Sequence, residues 1–151
     1  MKGRILVIDD DLDIREGISE ILKAAGYEVD AVGTALEGIE KSKQKIYHIA
    51  FIDIVLPDMS GIDLLTKLEE RVPKTKKVII TGFATLENAV QALNLGADAY
   101  LIKPVMPEKI LEIVEKMMKK IEEEITITQE KIVKFIESRV KTLENVKGNE
   151  K

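Results

Sequence analysis

Ile49-Ala-Phe-Ile-Asp-Ile-Val-Leu-Pro-Asp-Met-Ser-Gly61 is an apolar, β-branched run that carries one carboxylate at Asp53 and breaks at Pro57. A run of that length and character reads as a strand covered on both faces, as in a parallel sheet. An ionised carboxylate is costly to bury without a partner. Asp53 is therefore expected at the carboxyl end of its strand, where open α/β sheets hold their ligands.

Working outward, Arg4 to Asp9 reads as a first buried strand ending in the acidic cluster Asp9-Asp10-Asp11. Ile14, Ile18, Ile21 and Leu22 recur at helical spacing, and Gly26 is placed to stop that helix. Glu28 to Val32 is a second strand, and Thr34 with Glu37 forms a capping-box pattern for a helix to about Lys45. After Asp53 the pattern predicts a helix through Leu64, Leu65 and Leu68, then a strand over 77–81. Thr85 is placed to cap a helix that Gly96 ends, Ala99 to Ile102 is a fifth strand, and a long helix starts near Pro107. Five strands alternating with five helices through short links imply a doubly wound parallel sheet, with the strand order 2-1-3-4-5 expected.

The chain has 151 residues, 45% of them hydrophobic and 33% charged, which fits one globular domain with a short appendage. No apolar run reaches membrane-spanning length, and Met1-Lys2-Gly3-Arg4 leads directly into a strand, so a cytoplasmic protein without a membrane partner is expected. Zero cysteines exclude disulfides and thiolate sites, and the single His48, read as a solvated turn residue, excludes a multi-histidine metal site. Residues 107–151 carry 10 Lys/Arg and 10 Asp/Glu with no basic block, which argues against nucleic-acid binding by the tail. The polar ending Val146 to Lys151 reads as a natural terminus.

Asp9, Asp10, Asp53, Thr81 and Lys103 each fall at or just past a strand end. A parallel sheet gathers those ends on one edge, bringing three carboxylates, a hydroxyl and an ammonium into one crevice. Two carboxylates about 5 Å apart repel by about 3 kcal/mol at an effective dielectric of about 20, so three call for a divalent cation. All-oxygen ligation favours magnesium or manganese over zinc. A carboxylate oxygen left free could attack a phosphoryl group, with Lys103 and Thr81 as donors to the other phosphoryl oxygens. Taken singly, each residue has a plainer role: Asp9 or Asp10 as the cap of the first helix, Thr81 as a strand residue, Tyr100 as packing.

These residues resemble the receiver domain of two-component response regulators over residues 4 to about 122. The resemblance rests on the acidic pair after strand one, Asp53 with Leu56-Pro57 and Gly61, Thr81-Gly82, and Tyr100 before Lys103-Pro104. It implies a flavodoxin-like fold and a magnesium-dependent switch in which Asp53 takes a phosphoryl group from a histidine kinase. It further implies that Asp9, Asp10, Asp53 and the Val55 backbone carbonyl hold the metal, that Thr81 and Tyr100 form a switch pair, and that Lys103-Pro104 is a cis peptide. Chemistry would be limited to self-phosphorylation and self-dephosphorylation, with output through a downstream protein and no DNA-binding domain. Val55 and Phe83, two residues past Asp53 and Thr81, are apolar and poorly suited to orient an attacking water. A metal-dependent phosphatase or a binding module with vestigial phosphorylation are the alternatives. The haloacid-dehalogenase phosphatases place an acid/base aspartate where Val55 stands here.

The receiver is expected over residues 1–124 and a helical tail over 125–151. Ile125-Thr-Ile-Thr128 reads as a possible break, with Thr126 or Thr128 capping a new helix. Ile132, Ile136, Val140 and Leu143 then form a stripe that either folds back on the receiver or pairs with a second chain, as a homodimer, or with a target protein.

Overall fold

The computed structural model describes residues 2–149, with side chains through Val146. The rest of the ending read as a natural terminus lies outside the described side chains. Five parallel strands, β1 (Arg4–Ile8), β2 (Glu28–Val32), β3 (Ile49–Ile52), β4 (Lys76–Thr81) and β5 (Ala99–Ile102), form one sheet in the expected order β2-β1-β3-β4-β5. They alternate with α1 (Leu12–Ala24), α2 (Ala35–Gln44), α3 (Gly61–Leu64), α4 (Leu86–Asn94) and α5 (Pro107–Asn149).

Side chains alternate across a strand, so each central strand supplies two cores. Leu6, Ile8, Ala50, Ile52 and Ile79 pack beneath α2, α3 and α4, while Ile5, Val7, Phe51, Val78 and Ile80 pack beneath α1 and α5. Gly26 and Gly96 end α1 and α4 with φ of 98° and 102°, the left-handed conformation that disfavours side chains.

Several local expectations differ from what forms. Asp11, rather than Asp9 or Asp10, caps α1, accepting from the backbone N–H groups of Asp13 and Ile14. Thr34 accepts from the Glu37 N–H as a cap, and Asp58 accepts from the Ala35 and Leu36 N–H groups at 2.9 and 2.8 Å. The helix expected through Leu68 is one turn, because Lys77 Nζ takes the Leu65 carbonyl at 2.6 Å and the Glu69 N–H turns to Ser42 Oγ at 3.1 Å. The α-helical bond between those two groups is thus replaced by tertiary partners. His48 is half-buried rather than solvated, and its Nδ1 accepts the Arg4 N–H at 3.0 Å.

The break expected at 125–128 does not occur. Thr126 and Thr128 hydroxyls donate to the Glu122 and Glu124 carbonyls at 3.0 and 2.9 Å, so both are satisfied within one continuous 43-residue helix. Ile110, Val114, Met117 and Ile121 bury its first half on the sheet. Beyond Ile121 every described side chain is exposed, so self-packing of the tail on its own receiver is not what the structure holds.

Candidate functional site

Asp9 and Asp53 stand one residue past β1 and β3, and Lys103 one residue past β5. The sheet ladder carries them: Asp53 N–H donates to the Ile8 carbonyl, Asp9 N–H to Val32 and Lys103 N–H to Thr81, all at 2.9 to 3.1 Å. Thus three polar side chains leave the same sheet edge with their backbones fixed. Thr81, the last residue of β4, is fully buried and its Oγ1 accepts the Phe83 N–H at 3.1 Å.

Lys103 Nζ lies 2.8 Å from Asp9 Oδ2 and 2.8 Å from Asp53 Oδ2. Asp9 and Asp53 are buried, with Asp10 exposed at the rim, and one carboxylate oxygen from each of the three lies within 4.8 Å of the others. Burial pushes the Asp9 carboxyl above its ordinary range, more than its bonds from Lys103 and the Asp11 N–H pull it down. Burial alone would lower the Lys103 ammonium; its bonds to Asp53 and Asp9 outweigh that and hold it above the ordinary lysine range. The crevice therefore concentrates negative charge that one ammonium offsets incompletely. Oxygen donors alone, with a cation already drawn between two of them, suit a hard divalent ion such as magnesium.

The Lys103-Pro104 peptide is cis. Val55 is half-exposed beside the crevice and its N–H donates to Asp53 Oδ1 at 3.3 Å. Tyr100 is half-buried, and its hydroxyl donates to Asn88 Oδ1. Asn88 also completes the α4 capping box with Thr85 and donates from Nδ2 to the Phe83 carbonyl at 2.7 Å. Thr81 and Tyr100 are thus joined through Phe83 and Asn88.

Sequence reasoning missed Asn88, Asp58 and Arg15, whose Nη1 donates to the Asp9 carbonyl at 2.8 Å. Helix-cap spacing in Thr85-Leu-Glu-Asn88 was the available signal for Asn88; the other two had none, because their partners are distant in sequence or on backbone. Gly61 belongs to the motif around Asp53, and no local spacing explains it. A Cβ there would sit 2.0 Å from the Asp53 carbonyl oxygen, so the backbone that carries Asp53 closes directly on this glycine.

The family model of the response regulator receiver domain matches residues 5–115. A probable transcriptional regulatory protein, SilR of Salmonella typhimurium, is 32% identical over 129 residues, covering 85% of this chain and 57% of its own length. The cell cycle response regulator CtrA of Brucella ovis is 36% identical over 108 residues, covering 72% of this chain and 47% of its own. The chain thus spans about half the length of these relatives. Among solved structures, a CheY-like receiver domain protein from Methanospirillum hungatei JF-1 superposes with a TM-score of 0.78 at 44% identity, covering 81% of this chain and 98% of that one. The beryllofluoride-activated DrrB receiver domain superposes with a TM-score of 0.71 at 29% identity, covering 79% of this chain and 99% of that one.

Proposed function

The chain belongs to the response regulator receiver family, whose members are phosphoacceptor switches of two-component signalling rather than classical enzymes, and from that premise we propose that Asp53 is its phosphoacceptor. The observation that carries this is the Lys103 ammonium held 2.8 Å from both Asp53 and Asp9 at the sheet edge. An Asp53 carboxylate oxygen attacks the phosphorus of a phosphohistidine on a histidine kinase. The new P–O bond forms as the P–N bond breaks, and the electron pair leaves with the imidazole. Lys103 then bonds a phosphoryl oxygen in place of one carboxylate contact, and the Thr81 hydroxyl bonds another.

Asp9, Asp10, Asp53 and the Val55 carbonyl would hold magnesium, which when bound neutralises the carboxylates and the incoming phosphoryl charge. Capture of the Thr81 hydroxyl breaks its bond to the Phe83 N–H. That loosens the loop on which Asn88 holds Tyr100, giving the switch a hydrogen-bonded route from phosphate to α4 and β5. Later attack of water on phosphorus restores the Asp53 carboxylate and releases inorganic phosphate.

The receiver is read as residues 1–124 and the tail as 125–151, in a cytoplasmic signalling chain whose output runs through protein contacts. SilR, the relative named for transcription, is longer than this chain, so this output is assigned to residues 1–151 alone. Among the described residues no helix is long and apolar enough to cross a membrane. Intact mass after acetyl phosphate, with and without magnesium, tests the chemistry. A magnesium-dependent gain of about 80 Da in the wild type, absent in Asp53→Asn, is expected. No gain from acetyl phosphate or from a kinase donor, in folded protein, would favour the binding-module reading.

A further inference from the structure

The exposed half of α5 is patterned for an occupant. From Ile125 to Val146 a 4-3 alternation selects Gln129, Ile132, Ile136, Arg139 and Leu143 between them, about three heptads on one face. Ile125 follows the buried Ile121 by one turn, so this seam begins where α5 leaves the receiver. The apolar members are 38% to 63% exposed. At the base of the seam a groove of about 620 Å³ opens between Val72-Pro73 and Ile125, Ile127 and Thr128, and Val72 is 93% exposed.

We propose that this seam binds a second copy of the chain, antiparallel, in a register that sets Ile125 opposite Leu143, Ile132 opposite Ile136 and Gln129 opposite Arg139. Three observations select this occupant. First, that register places every seam isoleucine against an apolar partner and gives the Arg139 guanidinium an amide to donate to. A parallel pair would stack Arg139 on Arg139 within the seam.

Second, residues 122–130 hold four Glu and no Lys or Arg, while 131–146 hold four Lys/Arg and two Glu. In the antiparallel register 122–130 of one copy lies along 138–146 of the other, which holds Arg139 and Lys141 against the single Glu144; parallel alignment lays the four Glu along four Glu. Third, the same register sets Leu143 of the second copy on Ile125 at the edge of the groove beside Val72. Val133 and Phe135 then meet their own counterparts near the two-fold axis, which accounts for the apolar residues outside the 4-3 pattern. The inference is independent of the chemistry at Asp53 and holds for unmodified protein.

The chain has no cysteine, so single cysteines report pairing directly. Full-length Ile125→Cys and Leu143→Cys proteins, mixed and oxidised, are expected to give the mixed disulfide about tenfold over either homodisulfide. Sedimentation of the cysteine-free wild type is expected to give the dimer mass as concentration rises to about 100 μM. Ile132→Asp with Ile136→Asp, both exposed in the single chain, is expected to weaken association at least about tenfold with circular dichroism of the receiver unchanged. Homodisulfides from Ile125→Cys alone would overturn the antiparallel arrangement. A mass other than the dimer's across that range, or undiminished association of the double variant, would overturn the interface.

Discussion

The two halves of α5 share one helix and one kind of apolar repeat, and meet opposite environments. Ile110, Val114, Met117 and Ile121 are at most 2% exposed against the sheet, whereas Ile132, Ile136, Val140 and Leu143 are 49% to 63% exposed among the described residues. Periodicity states that a face calls for burial. It carries no information about what does the burying, because the partner surface is built by residues remote in sequence or in another molecule. The receiver half draws its stability from a core formed with five strands; the tail half has only helix propensity and i,i+4 pairs until something covers it.

The phenylalanines give the widest separation between the halves. Phe51 is 2% exposed at the centre of the sheet and Phe135 is 60% exposed on the tail. Phe51→Ala is expected to lower the unfolding free energy by about 3–5 kcal/mol. Phe135→Ala, in protein dilute enough to be monomeric, is expected to change it by less than about 0.5 kcal/mol. Urea unfolding of both variants reads the difference; comparable losses would mean that the tail belongs to the receiver's cooperative unit.

Next in size is Gly61→Ala. Its Cβ meets backbone, which cannot rotate away, so the loop bearing Asp53 must shift. A loss of about 2–4 kcal/mol is expected, together with slower phosphoryl uptake, measured by denaturant midpoint and by intact mass. Gly82→Ala, where an added Cβ meets no atom within 4 Å, is the matched control and should leave the midpoint unchanged.

A smaller effect separates the halves by pH. Burial raises the Asp30 carboxyl, but bonds from Tyr47 (2.6 Å) and Lys45 outweigh it and leave it below the ordinary range. Backbone N–H groups of Leu36 and Ala35 hold Asp58 low as well. A carboxyl depressed in the folded state contributes stability above its unfolded value of 3.8, and that contribution is lost as pH falls through the folded value. Receiver stability should therefore decline below about pH 4. Tyr47→Phe should cost about 1 kcal/mol at neutral pH and flatten that decline, as pH-resolved unfolding would show.

The smallest expected change in stability comes from Val55→Asn with Phe83→Glu. Both sites are exposed, so the midpoint should stay within about 0.5 kcal/mol of the wild type. Polar groups there can orient water toward phosphoryl-Asp53, so its decay should quicken severalfold; an unchanged decay would mean that the apolar flank does not set the lifetime of the phosphoryl group.

Much of the site was legible because parallel topology turns a list of strand ends into one edge. Asp9, Asp53, Thr81 and Lys103 stand at strand ends, and their convergence follows from that placement alone. What stayed illegible was competition among local options. Thr126 and Thr128 have cap chemistry, yet their hydroxyls bond back to i−4 carbonyls, and the helix runs on. Leu64 to Leu68 has helical spacing, yet Lys77 and Ser42 take the backbone groups that a longer helix needs.

By itself, then, the sequence determined the alternation of strands and helices and the polar edge, because burial on both faces makes the central strands β1, β3 and β4 apolar runs that admit polar groups only at their ends, and the strand order followed from the arrangement usual for such sheets. Only the tertiary structure decided which aspartate caps α1, where α3 stops, that Gly61 lies against the Asp53 backbone, and that Asn88 joins Thr81 to Tyr100. The last three depend on partners brought near by folding, whose positions no local spacing encodes; the α1 cap falls to Asp11 because Lys103 engages Asp9 at the sheet edge.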